Sequence, residues 1–170
     1  MTRNHKPRRA FTLVEAAVSS IIIAVMLVAA LKTAAAARSR EQSAIDRQRG
    51  LMLAQALMAE ILDKAYVDPG VAPLFGPELT ETAGRSVYND VDDYNGLLDS
   101  PPKYAVGTAL TFPQNTRWSR SVTVQWVTAN NLSTTSVTET NLKKITVTVK
   151  KNNVPVAELN ALRSKARDSL

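Results

Sequence analysis

From Phe11 to Leu31 the chain reads FTLVEAAVSSIIIAVMLVAAL, 21 residues with one charged side chain, Glu15, and neither Pro nor Gly. As a helix this run spans about 31 Å, close to the hydrocarbon thickness of a bilayer. Ile21, Ile22, Ile23, Val25, Met26, Leu27 and Val28 cover every face of that helix. A soluble helix that buries one stripe needs no such coverage, so lipid or a bundle interior is the expected surrounding. The preceding residues, MTRNHKPRRA, are polar and basic.

Glu15 is the anomaly in this run. A carboxylate inside an apolar span is costly and marks a specific partner. Two plainer readings leave it unexplained. A cleavable secretory signal has a shorter apolar region and would be cut at small residues such as Ala34–Ala37. An uncleaved signal anchor needs no acid at all. A third reading places Glu15 near the helix start, where the helix dipole stabilises it.

Charge and composition narrow the classes further. The net charge is +6, from 21 basic and 15 acidic side chains. Arg3, Lys6, Arg8 and Arg9 all lie in the first ten residues, and without them the remainder is nearly balanced. With aromatics at 5 %, stacking platforms for single strands are few, and no nucleic-acid partner is expected. There is no cysteine, and the one histidine, His5, lies in the basic leader. Thiolate and imidazole chemistry is thereby excluded downstream, and no nucleophile–base pair is legible in the spacing. The expectation is a non-enzyme.

Arg8-Arg9-Ala10-Phe11-Thr12-Leu13-Val14-Glu15 resembles the class III signal of type IV prepilins and type II secretion pseudopilins. The resemblance implies cleavage by a prepilin peptidase between Ala10 and Phe11, N-methylation of Phe11, and an assembly role for Glu15. Ala10 departs from the Gly most common before the cut. The implied partners are that peptidase, a major pilin or pseudopilin, other minor subunits, the inner-membrane assembly platform and the lipid bilayer. The implied location is the bacterial inner membrane, single-pass, with a cytoplasmic N-terminus and a periplasmic head, and then a periplasmic or extracellular filament. Leu51–Leu62 (LMLAQALMAEIL) is similar to I-type minor pseudopilins of type II secretion and to PilV-like minor pilins.

The expected fold is α+β: a long N-terminal helix packed on a small antiparallel sheet. The domains read as a leader 1–10, a helix 11–65 with 11–31 transmembrane, and a head 66–170. The helix interior lacks Pro, and an apolar stripe runs through Leu51, Ala54, Met58, Ile61 and Ala65, widened by Leu53 and Leu57. A continuous helix to Ala65 would be roughly 80 Å long. The alternative is two helices broken at Gly50. In the head, 66–118 is rich in Pro, Gly and Asp and reads as loops, with a further strand expected over Tyr104–Phe112. Antiparallel strands are expected across 119–163, at Ser119–Thr128, Lys144–Lys150 and Val154–Leu159. Asn152-Asn153 suits a tight hairpin, Pro155 suits an edge strand, and Leu159–Leu170 can alternatively form a short helix.

The densest polar cluster is Asn89-Asp90-Val91-Asp92-Asp93-Tyr94-Asn95-Gly96. Asp90, Asp92, Asp93 and Asn95 offer oxygen ligands for Ca²⁺, although the EF-hand register fails. The same residues serve equally as turn formers. No other cofactor is expected. Asn131-Leu132-Ser133 matches a glycosylation sequon, and Arg163, Lys165 and Arg167 read as a solvated basic tail.

Overall fold

The structure, a computed structural model, describes residues 12–68, 75–81, 83–112 and 117–169. The leader 1–10 and the junction Ala10–Phe11 lie outside them. The chain forms two compact units, residues 1–44 and residues 45–170.

The first unit is the start of α1, a helix running Leu13–Leu62. Its apolar side chains are exposed on all sides, among them Leu13, Ile21, Val25 and Leu31. Several of its hydroxyls bond back onto the helix. Ser20 Oγ donates to Ala16 O at 2.8 Å, and Thr33 Oγ1 to Ala29 O at 2.9 Å. Such back-bonding satisfies polar groups without water. By length and composition this is a candidate membrane span.

In the second unit the last turns of α1 pack on a five-stranded antiparallel sheet, giving the α+β arrangement. The strands are β1 (Leu98–Asp99), β2 (Trp118–Thr128), β3 (Asn131–Ser136), β4 (Leu142–Lys151) and β5 (Val154–Ser164). Their order is β1-β2-β4-β5, and β3 also pairs with β2. Registry stacks the inward residues in rows across β2, β4 and β5: Val122, Val147 and Leu159, then Val124, Ile145 and Ala161. Ala54, Leu57, Met58 and Ile61 of α1 complete this core with Trp118, Val91 and Tyr94.

The helix does not break at Gly50, which is buried within it. Of the predicted stripe Ala54, Leu57, Met58 and Ile61 are buried, Gly50 joins them, and Leu51 is exposed. The absence of a side chain at Gly50 lets β5 approach there.

The three long strands were legible; β2 and β4 extend one or two residues beyond their predicted bounds, and β5 five residues beyond Leu159. Asn152 and Asn153 take φ of 51° and 66° in the β4–β5 hairpin, as a two-residue turn of that type requires. Pro155 does sit on the edge strand, beside a register shift at Val149/Lys150. Three expectations are corrected. Tyr104–Phe112 is not a strand: it folds on itself through an isolated Lys103–Ala109 bridge and a Tyr104 N–H bond to Thr108 O. The chain end does not turn helical at Leu159, because β5 continues to Ser164 before a 3-10 turn at Lys165–Ser169. Arg163 is not solvated. It is buried, bonded to Lys64 O at 3.0 Å and ion-paired with Asp168.

Candidate functional site

At the start of α1, Thr12 Oγ1 accepts the Glu15 N–H at 3.2 Å, and Thr12 O accepts from Ala16 N–H at 3.1 Å. Thr12 is therefore the helix cap and Glu15 lies three residues inside it, the Thr-x-x-Glu spacing of a capping box. That signal was present in the sequence and went unread. The Glu15 carboxylate is exposed, in the first turn, and has no ion-pair partner among the described residues. Ala10 and Phe11, the predicted cleavage and methylation positions, lie outside those residues.

The Asp-rich loop is built as a turn that docks on the end of α1. Val91 N–H bonds Ala65 O at 3.0 Å. Asp90 Oδ1 accepts from the Asp92 and Asp93 N–H groups at 2.8 and 3.3 Å. Asp93 Oδ2 accepts from the Asn89 and Asp90 N–H groups, each at 2.9 Å. Asp92 is ion-paired with Lys143 through one oxygen and accepts Gly76 N–H with the other at 3.1 Å. Asn95 Oδ1 accepts Val124 N–H at 3.0 Å, filling the β2 edge between β1 and β3. The four predicted ligands thus point to different partners. Burial first, and then the neighbouring Asp92 and Asp93, raise the Asp90 pKa to about 8, against a smaller lowering by Lys143.

One of the four does join an acidic cluster, with two residues the sequence reading passed over. Glu78, Glu81 and Asp93 are all buried, and each brings one carboxylate oxygen within 4.8 Å of the others. Glu78 precedes a 3-10 turn, Leu79–Glu81, and Glu81 ends it. Burial, followed by the Glu78 carboxyl, raises the Glu81 pKa to about 7. The sequence signal was Glu-x-x-Glu after Pro77, which reads as a helix start when the fold is unknown.

Residues 5–31 match the family model of the prokaryotic N-terminal methylation motif. The chain carries a prepilin-type signal. The match supports a type IV pilin-like family and a pilin-like or pseudopilin subunit, a structural component. It also implies processing by a prepilin peptidase and assembly with other pilins, and it fits membrane anchoring through the exposed apolar helix. No curated protein and no solved structure matches the chain significantly.

In this chain the motif and the head carry different chemistry. The motif brings one acid onto a helix made for an apolar surrounding. The head buries several of its charged groups in pairs. Asp99 accepts from Arg120 Nε at 3.0 Å and from Arg85 at 2.9 Å, and Glu60 accepts Tyr94 O–H at 2.9 Å. Glu60 also lies 2.9 Å from Arg85. These contacts tie the helix, the loops and β2 together.

Proposed function

We propose that this chain is a minor pilin or pseudopilin subunit that is cut between Ala10 and Phe11, methylated on Phe11, and assembled through α1 into a type IV pilus or a type II secretion pseudopilus. Before assembly it crosses the inner membrane once, with the basic leader in the cytoplasm and the head in the periplasm. The observation that carries this reading is the methylation motif at residues 5–31 ending in a helix whose apolar surface is exposed all round.

Cleavage before Phe11 creates a cationic amine four residues ahead of Glu15 in the chain. In a bundle of such helices the Glu15 of one subunit pairs with the Phe11 amine of a neighbour. Each charge then offsets the desolvation cost of the other, and a subunit lacking either is left with an uncompensated charge in an apolar surrounding. Thr12 capping leaves the Glu15 carboxylate available for this pairing, since the cap uses the Glu15 backbone N–H.

Mass spectrometry of the native N-terminus tests the processing step, with N-methyl-Phe11 expected. An intact leader or a cut near Ala37 would instead make the chain a signal-anchored periplasmic binding module. Glu15→Ala should insert in the membrane normally and fail to enter filaments; filaments assembled at the wild-type level would remove the ion pair from the mechanism.

A further inference from the structure

The head holds carboxylate oxygens that the fold positions and leaves without a partner. Glu78 is 7 % exposed, and neither of its carboxylate oxygens has a hydrogen-bond partner. Glu81 spends one oxygen on the Glu78 N–H at 3.3 Å and leaves Oε1 unpartnered. Asp93 spends Oδ2 on the Asn89 and Asp90 N–H groups and leaves Oδ1 unpartnered. Two of the three carboxylates are therefore oriented through one oxygen while the other is free, as ligating carboxylates are by their outer hydrogen bonds.

No cation of the described head neutralises these groups. Arg85 pairs with Glu60 and Asp99, Arg120 with Asp99, and Lys143 with Asp92. Three buried carboxylates without a base would repel one another and lose their hydration. A hard divalent cation removes both costs. The donors are all oxygen, which excludes sites built on nitrogen or sulfur. Oxygens of one Ca²⁺ shell, each at about 2.4 Å from the ion, lie up to about 4.8 Å apart. The three oxygens here lie within 4.8 Å of one another. Mg²⁺ dehydrates reluctantly and is seldom held by a set of protein carboxylates alone.

We propose that Glu78, Glu81 and Asp93 bind a Ca²⁺ ion in the head. The ion joins the 3-10 turn at Leu79–Glu81 to the turn at Asp92–Tyr94, where Gly76 N–H already reaches Asp92. It thereby fastens the loop layer that lies between α1 and β2 in the chain. This site is independent of Glu15 and of filament assembly.

The full chain in detergent, stripped with EDTA, is melted at about pH 9, where all three carboxylates are charged, with and without about 1 mM CaCl2 or MgCl2. CaCl2 should raise the melting temperature by about 5 °C, and MgCl2 by less. Glu78→Gln should abolish the Ca²⁺ shift and melt above the wild type in EDTA, since it removes one of three crowded charges. Wild-type protein should also sensitise Tb³⁺ luminescence when tyrosine is excited, with Ca²⁺ competing the signal away. A wild type unmoved by CaCl2, a Glu78→Gln chain that keeps the full shift, a larger effect of MgCl2, or Tb³⁺ emission insensitive to Ca²⁺ would each overturn the site.

Discussion

Gly50 of α1 lies directly against Val156 of β5: a Cβ added at Gly50 would sit 2.9 Å from Val156 Cγ2 and 3.1 Å from Ala157 Cβ. The helix approaches this edge strand more closely than any side chain permits. Gly50→Ala gains about 1 kcal/mol of helix propensity but overpacks a contact with a stiff β-branched side chain, at about 1–3 kcal/mol. The expected result is a net loss of stability in denaturant melts followed by the fluorescence of Trp118 and Trp126. Combining Gly50→Ala with Val156→Ala should recover most of it. A more stable single variant would show that the contact relaxes without cost.

Lys143 and Asp92 form a buried ion pair, and the Lys143 ammonium also bonds Tyr66 O and lies 4.3 Å from the Tyr66 ring centroid. Lys143→Met removes the cation and leaves a buried carboxylate without its charge partner. The expected cost is about 3–5 kcal/mol, measured by equilibrium denaturation. Adding Asp92→Asn should return a large part, because the remaining amide oxygen still accepts the Gly76 N–H. If the double variant is no better than the single, the loss belongs to the Tyr66 contacts.

Glu81 and Asp90 have pKa values raised to about 7 and about 8, in each case chiefly by burial. A carboxyl group raised in the folded state binds its proton more tightly there than in the unfolded chain. Its stabilising contribution is fully present below the ordinary carboxylate range and is lost as pH rises through the folded value. In chelator, the melting temperature should therefore fall between about pH 4 and pH 8. Asp90→Asn should flatten the upper part of that fall, and a melting temperature that climbs across the same window would contradict the assignment.

Asp168, in the terminal 3-10 turn, accepts the Tyr66 N–H and pairs with Arg163. It fixes the residues that follow α1. Asp168→Ala leaves Arg163 buried with Lys64 O as its remaining partner, and a loss of about 2–3 kcal/mol is expected in denaturant. A change within about 0.5 kcal/mol would mark the turn as a passive chain end.

The character of the first unit followed from local chemistry. An unbroken apolar run with one acid after a basic stretch marks a helix suited to an apolar surrounding, and the motif at its start needs no tertiary context. The alternation of Val122, Val124 and Trp126 and of Ile145, Val147 and Val149 likewise announced strands, because one buried face imposes a period of two. What the fold alone decided were the relationships between segments distant in the chain. Gly50 joins the helix stripe because β5 reaches it, and Arg163 becomes a core residue because β4 places it opposite Lys143. Asp90, Asp92, Asp93 and Asn95 look equivalent in sequence, but packing gives their oxygens separate partners and brings Glu78 and Glu81 to Asp93 instead. Local pattern reports which groups must be buried or solvated; which buried charges meet depends on contacts between segments that no local pattern contains.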